Sequence, residues 1–500
     1  LPSVSDIAKN SSHFGKRRSH IYIYSSVKSS LNKSTYWYDL RFVLCASMIV
    51  YVLSLCLLLT MNHSPRIAQL IDRHPYHSRQ TQSDVAIIGG IAVMTAYHIL
   101  KHTTKSVAIY EARQIARGAT GHNAGQVAPY FEKDWDDIVQ EYGLEMASDA
   151  QQSVLMARDL LVDIIDYTNC VVPFHSQLGY ACSTDEQLEH HLHKKLLREQ
   201  KSSFDAIFVL DTHPKLKQWS QQYPGIFEPM AAEHICQHLE TDSDQFIGLL
   251  VCRKAVINSA ALCEYLIQWM IDQYSKRFVV HEHTPIGHID LYRDQVTITS
   301  SQTYVAEDLV LCTNGFEHFE ITNHNGTAID KWFHDSIYGN IYMSAYYDSD
   351  TSYRPVAISY FMSPDKMISN TGYDVYFYFT RRPYLLNNQS YTLVSVPETL
   401  LKEPMYDHTA DHPQRAHDQN MSFLTSYYKH IPDDRCEIFR RHGLMGYTKT
   451  LRMIPHPHSS RLWFNICNGV GILTSIYGYK IGRMMEQFEP SVFDVTYSIT

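Results

Sequence analysis

Apolar and polar positions change period several times along the chain, and each change marks an element. From Asp84 the sequence runs Asp-Val-Ala-Ile-Ile-Gly-Gly-Ile-Ala-Val-Met-Thr-Ala-Tyr-His-Ile-Leu. The four consecutive apolar residues Val85 to Ile88 predict a strand buried on both faces. After the glycines, Ile91, Met94, Ala96 and Leu100 return at positions that suit a helix packed on a sheet. A second apolar run, Val107 to Tyr110, stops at Glu111. Strand, glycine turn, helix and strand in this order begin a βαβ unit. Between Glu132 and Cys170 the apolar residues Ile138, Tyr142, Met146, Ala150, Val154, Leu160, Ile164 and Ile165 lie near helical spacing, which predicts a long helix or a pair of helices. Residues 321–400 switch to period two: Asn340 to Tyr347, Val356 to Phe361, Tyr373 to Arg381 and Tyr391 to Val396 read as tyrosine-rich antiparallel strands.

Phe42 to Met61 has no charged residue and only Ser47, Ser54 and Thr60 as polar interruptions. At about 1.5 Å per helical residue it spans a hydrocarbon core of about 30 Å. A signal peptide has a shorter apolar stretch nearer the start, and Asn62-His-Ser-Pro65 lacks a small-residue cleavage site, so the expectation is a single-pass transmembrane helix over 42–61. Lys28, Lys33 and Arg41 before it balance Arg66, Arg73 and Arg79 after it; Lys16, Arg17 and Arg18 farther out tip the positive-inside rule only slightly toward a cytoplasmic amino terminus, and the side of the large domain stays open. Residues 62–83, with Pro65 and Pro75, suit a linker.

A chain of 500 residues with 45% hydrophobic content can build two domains with cores of their own. The formal charge of −9, without a basic helix or zinc-finger spacing, argues against nucleic acid as a partner. Ten cysteines scattered without a C-x-x-C pair read as mostly reduced, buried thiols. Asp407, His408, Asp411, His412 and His417 cluster in sequence but lack the framed spacing of a zinc motif, so no metal site is expected.

The chemistry starts at the glycines. A full G-x-G-x-x-G gives a tight turn, close approach of a pyrophosphate, and close packing of helix on strand. Here only Gly89 and Gly90 stand; with Gly90 as the middle glycine, Ile88 takes the first position and Val93 the third. The helix start still offers free N–H groups to a phosphate. Glu111, at the tip of the second strand about 20 residues on, is placed to accept hydrogen bonds from a ribose. Directly after it, Arg117-Gly-Ala-Thr-Gly-His-Asn-Ala-Gly-Gln126 is a loop that lets backbone approach a ligand closely.

These two segments resemble the D-amino-acid-oxidase-like family of FAD-dependent oxidoreductases. The likeness extends to Asn258 to Leu266 and Phe278 to Ile286, to Asp308-Leu-Val-Leu-Cys-Thr-Asn-Gly-Phe316, and to the glycine-rich Cys467-Asn-Gly-Val-Gly-Ile-Leu-Thr-Ser475, so it covers about residues 84–490. The resemblance implies FAD as cofactor and an α/β fold. A discontinuous Rossmann-like FAD-binding domain (84–170, 250–320 and 455–500) would carry an inserted antiparallel-sheet substrate domain (171–249 and 321–454), preceded by the transmembrane segment. It implies that Gly89, Gly90 and Ile91 face the pyrophosphate, and Glu111 and Ala112 the ribose. Gly118, Ala119, Thr120, His122, Asn123, Ala124, Ile286, Thr313, Asn314, Gly315, Asn468, Gly469, Val470, Gly471 and Ile472 would line the rest of the cofactor.

Relatives often clamp a substrate carboxylate with arginine, beside tyrosines. Tyr378, Arg381 and Arg382 end a strand here, and alternation sends the two arginines to opposite faces; solvated charge at a strand end is the competing reading for each. Met445 stands where relatives carry another arginine after Gly-Leu, with Arg452 the nearest substitute. His122 corresponds to a histidine that carries flavin covalently in one branch of the family; a histidine merely lining the loop is the alternative. The implied function is oxidation of a C–N bond in a small amine or amino acid, with a membrane quinone or oxygen as electron acceptor. The alternative is a catalytically inactive, membrane-anchored scaffold that no longer binds FAD. A nicotinamide-dependent reductase would rest on the βαβ unit alone.

Overall fold

The run Val85–Ile88 is the middle of an eight-stranded sheet in the computed structural model of this chain. The structure describes residues 64–70, 73–90, 92–128, 139–140, 142–177, 179–197, 204–313, 319–329, 337–347, 355–361, 376–384, 389–396, 399–400, 414–428, 437–447, 459–465 and 473–485, all within one unit, 62–500. The expected membrane segment 42–61 lies outside them; among the described residues no helix is long and apolar enough to cross a membrane.

In chain order, a single turn, α1 (Pro65–Ala68), starts at Ser64, whose hydroxyl accepts from the Arg66 N–H. There follow β1 (Gln82–Ile88), α2 (Ala92–His102), β2 (Val107–Tyr110), β3 (Gln126–Val127) and the long helix α3 (Leu144–Tyr167). Next come β4 (Phe174–Gln177), β5 (Tyr180–Cys182), α4 (Asp185–Leu197), β6 (Phe204–Leu210) and α5 (Leu216–Gln222). After these stand β7 (Glu228–Met230), α6 (Ala232–Leu239), β8 (Gly248–Cys252) and β9 (Lys254–Ile257). Asn258 then caps α7 (Ser259–Gln273) by accepting from the Ala261 N–H. The strands β10 (Phe278–His281), β11 (His288–Leu291), β12 (Val296–Thr299), β13 (Thr303–Leu311) and β14 (Glu320–Asn323) come next. They precede β15 (Ile337–Tyr347), β16 (Val356–Phe361), β17 (Tyr376–Tyr384), β18 (Gln389–Ser395) and β19 (Thr399–Leu400). The chain closes with α8 (Gln414–Tyr427), β20 (Glu437–Tyr447), β21 (Leu462–Phe464) and α9 (Leu473–Met485).

The first sheet has the order β10-β2-β1-β13-β12-β11-β14, with β21 also on β13. β10, β2, β1, β13 and β21 are parallel, while β12 pairs antiparallel with its neighbours on either side. Helices α2, α3 and α7 bury one face around Val85, Ile87, Val107 and Val310; Ala86, Ile88, Tyr110 and Leu309 fill the other with the β11–β12 hairpin. Coverage on both faces is why β1 reads as an unbroken apolar run.

The second sheet has ten strands, in the order β19-β15-β18-β17-β16-β5-β8-β6-β7 with β20 on β15. It is mixed, not purely antiparallel, because β16 and β5 and also β6 and β7 run parallel. Phe377 and Phe379 of β17 pack on α6 and α8, whereas Tyr378 joins Met343, Tyr391, Leu393 and Phe439 on the opposite face, where Ala124 touches the sheet. A small sheet, β3-β9-β4, lies beside the loop that ends at Gly125.

Candidate functional site

The glycine turn is built differently from the spacing of the motif. Gly89 has φ +112°, and a Cβ there would sit 2.4 Å from the Cys312 carbonyl oxygen at the end of β13. Its N–H donates to Tyr110 O at 3.0 Å, while Cys312 N donates to Ile88 O at 2.8 Å. The tight-turn role therefore falls on Gly89, and Ile88 is an ordinary strand residue. A Cβ on Gly90 would come within 3.1 Å of Glu111 Oε2, so the bare backbone of Gly90 faces the carboxylate at the tip of β2. Glu111 Oε1 accepts from the Arg113 N–H at 3.0 Å. Burial pushes Glu111 above the usual carboxylate range, opposed by the N–H groups of Arg113 and Ala112 and by the Arg113 charge. Val93, at the lost third-glycine position, is fully buried. Close approach is made instead between helices: Cβ atoms on Gly478 and Gly482 of α9 would stand 2.9 Å from Thr95 Cα and 3.0 Å from His98 C of α2.

The loop after β2 is closed by its own polar groups. Asn123 Nδ2 donates to Thr120 O at 2.6 Å and to Ser259 Oγ at 3.1 Å, and its Oδ1 accepts from Gly125 N at 2.7 Å. Asn123 thus fixes the loop with its side chain; what it leaves for a ligand is backbone. His122 is nearly buried, stacks on Phe439, lies 2.9 Å from Gly118 O through Nδ1 and 3.3 Å from Arg441 Nη1 through Nε2. Nε2 has to accept from the guanidinium, which assigns the proton to Nδ1. Gly118 has no atom within 4 Å of its Cβ position and Ala119 is exposed, so this end of the loop stays open.

The end of β10 joins the same place. Thr284 N donates to Glu111 O at 2.9 Å and His283 N to Arg113 O at 2.8 Å, while Ile286 packs under the first sheet beyond the strand's end. Thr313 N lies 3.3 Å from the Cβ position of Gly89. Ile91, Asn314, Gly315, Asn468, Gly469, Val470, Gly471, Ile472 and Arg452 lie outside the described residues. Glu282 was not singled out in the sequence. It is fully buried and accepts from Arg73 Nη1 at 2.7 Å, Tyr76 N at 2.8 Å and Ile115 N at 2.7 Å, tying the residues before β1 to the loop. These bonds hold its carboxyl below the usual range despite burial. No local pattern could have found it, since its partners come from distant parts of the chain.

The two strand-end arginines separate as alternation requires, and neither is solvated. Arg381 is fully buried on the α6–α8 side and forms a bidentate pair with Glu240, at 2.5 and 2.6 Å, and a hydrogen bond to Tyr428 Oη. It is a cross-brace of the second sheet and cannot serve as a clamp. Arg382 is 4% exposed, on the face shared with Tyr378 and Ala124, and its Nε and Nη1 have no hydrogen-bond partner. Burial and the charge of Arg66 pull it down to about 10, against the neighbouring Tyr391. On the same strand face Thr380 Oγ1 accepts from Gln126 Nε2 at 3.0 Å, which joins the second sheet to the loop of the first. His417 pairs with Tyr346 and Arg440, and among the described residues no cluster could hold a metal.

A sheet with parallel central strands whose ends carry a bare glycine turn and a half-buried carboxylate, joined to a second sheet with a buried arginine, has the layout of a nucleotide-binding domain with a separate substrate sheet. The chain belongs to the FAD dependent oxidoreductase (DAO) family, whose sequence model matches residues 84–484; FAD is accordingly its cofactor. Glycine oxidase from Geobacillus kaustophilus has a similar fold, with a TM-score of 0.61 at 13% identity over 84% of this chain and 99% of that one. NikD, an amino acid oxidase of nikkomycin biosynthesis, superposes with a TM-score of 0.59 at 13% identity over 83% and 96%. L-amino acid deaminase from Proteus vulgaris gives 0.56 at 10% identity over 85% and 98%. In sequence, 121 residues are 27% identical to YhfW of Bacillus subtilis (strain 168), named for a Rieske 2Fe-2S iron-sulfur protein; the match covers 24% of this chain and 24% of that relative. The residues present fit FAD: the bare Gly90 backbone and the open Gly118 leave room, and Glu111 is a fixed acceptor beside them.

Proposed function

We propose that this FAD-dependent oxidoreductase oxidises a C–N bond of a small amine or amino acid. The observation that carries the reading is the placement of Arg382 and Tyr378 on the one face of the second sheet that Ala124 of the cofactor loop touches. When bound, FAD supplies the electron-accepting chemistry. The chain supplies position. Gly89 and Gly90 let the pyrophosphate approach the start of α2, Glu111 accepts from the ribose, and loop 118–125 presents backbone to the flavin end. Arg382 holds the substrate carboxylate through two N–H groups, which fixes the Cα–H direction, and Tyr378 lines the same face. In this reading the cofactor domain comprises residues 84–170, 250–320 and 455–500, residues 42–61 anchor the protein in a membrane, and a quinone there is the electron acceptor.

The purified full chain should be yellow, with flavin released as free FAD on denaturation. Flavin that stays with the denatured polypeptide would show covalent attachment, with His122 as the candidate; its Nε2 carries no proton but is covered by Arg441. A folded, colourless protein that takes up no added FAD would sink the enzyme in favour of the inactive scaffold. Partition of the chain into detergent, lost on deleting residues 42–61, tests the anchor.

A further inference from the structure

Arg66 lies outside the family match and before β1, yet its side chain is fully buried against the cofactor loop. Its Nη1 donates to Asn123 O, and its Nε and Nη2 lie 2.7 Å from the Cβ position of Gly125, a residue with φ +67°. Its own carbonyl accepts from Asn258 at the α7 cap, and Ile67 packs over Gly121, so α1 is built into the loop. Arg66 Nε and Nη2, like Arg382 Nε and Nη1, are buried without a hydrogen-bond partner. Tyr391 lies within electrostatic reach of both guanidinium groups, and Arg66 within reach of Arg382; among the described residues neither arginine forms an ion pair. Gln126, next in sequence to Gly125, is anchored to Phe379 O and Thr380 Oγ1 at 3.0 Å and leaves its buried Oε1 as an unpartnered acceptor.

Two buried guanidinium groups with no counter-anion among the described residues demand negative charge, and unpaired N–H groups on both demand hydrogen-bond acceptors. A monocarboxylate satisfies one group and leaves the other charged. We propose that Arg66 and Arg382 form one anion-binding site for a doubly negative substrate, an amino or imino acid carrying a second carboxylate, with Gln126 Oε1 accepting from its nitrogen. This rests on the amine-oxidising reading for the nitrogen, but not for the two carboxylates.

The test is binding, measured on the full chain with redox-inert acids. Equilibrium dialysis compares labelled succinate, glutarate and adipate with butyrate, and the visible spectrum of each preparation is recorded. At least one dicarboxylate should bind ten-fold or more tighter than butyrate. R66Q and R382Q should each remove ten-fold or more of that preference, while R66K and R382K, which keep the charge, should restore part of it and guard against misfolding. Equal binding of mono- and dicarboxylates, or Gln variants with unchanged preference, would overturn the proposal. So would Gln variants that lose flavin yet keep the dicarboxylate preference, because the arginines would then serve the cofactor. A colourless protein that still prefers a dicarboxylate supports the site while ending the oxidoreductase reading; a yellow one without preference overturns the site alone.

Discussion

Replacing Glu240 gives a test of the Arg381 brace in which two energies act in opposite directions. Glu240 ends α6 in the left-handed region, φ 53° and ψ 45°, where a side chain costs about 1 kcal/mol relative to glycine. It stays because its carboxylate meets Arg381, whose side chain is 1% exposed against 12% for Glu240. Breaking a buried pair by removing one partner costs about 3–5 kcal/mol, since the remaining charge is stranded. Glu240→Ala should therefore lose about 3–5 kcal/mol and keep the backbone strain. Glu240→Gly loses the same pair but relieves the strain, so it should be more stable than the alanine variant by about 1 kcal/mol. At an ordinary helical position the order is reversed, with glycine worse than alanine. Urea unfolding followed by circular dichroism reads the difference, and E240L/R381M should recover part of the loss because no charge is left unpaired. A glycine variant weaker than the alanine variant, or an alanine variant within about 1 kcal/mol of the parent, would refute the account.

Gly89→Ala should cost at least about 2 kcal/mol, from positive φ and collision with the Cys312 carbonyl, whereas Gly90→Ala meets only a side-chain oxygen, Glu111 Oε2, at 3.1 Å; thermal melts without FAD separate them, and G90A should instead weaken FAD binding. Glu282→Gln should cost about 3 kcal/mol at pH 7. Because the folded carboxyl is held low, the parent's advantage is complete above the unfolded pKa and fades as pH falls toward the folded one; a constant difference from pH 7 to pH 3 would contradict it. Glu111 has the opposite sign: its raised folded pKa means that stability is lost as pH rises above the unfolded value. Glu111→Gln should stabilise the FAD-free protein at pH 7 while weakening FAD affinity, measured by fluorescence titration.

What could be read from the sequence was what repeats locally. Val85–Ile88, the spacing to Glu111 and the alternation in 356–361 each sit in a few neighbouring residues, and each became the expected strand or turn. Alternation also sent Arg381 and Arg382 to opposite faces. Which face carried the brace depended on Glu240 and Tyr428, which no period links to β17. Arg66 was hidden for the same reason: a single helical turn after a proline leaves no amphipathic signature, and its partners Asn123 and Asn258 lie far along the chain. The residues before Asp84 read as a linker. Arg66, Ile67 and Arg73 instead tie them to the loop, to α7 and to Glu282.

The missing third glycine shows how a damaged motif keeps its geometry. In an intact turn that glycine lets the first helix press on the first strand. Val93 takes this position here and is wholly buried, in one core cluster with Val85 and Ile87 of β1. Elsewhere on α2, Gly478 and Gly482, four residues apart and so on one face of α9, bring that backbone against Thr95 and His98. Asn465, directly after β21, donates to Thr95 Oγ1 at 2.6 Å and fixes the same side of α2 to the end of that strand. Gly89 keeps the turn, and the close small-residue contact of α2 is the one with α9. The degenerate sequence therefore does not by itself predict a collapsed nucleotide site. The side chains that would close such a site are absent from Gly90 and Gly118, where room is needed.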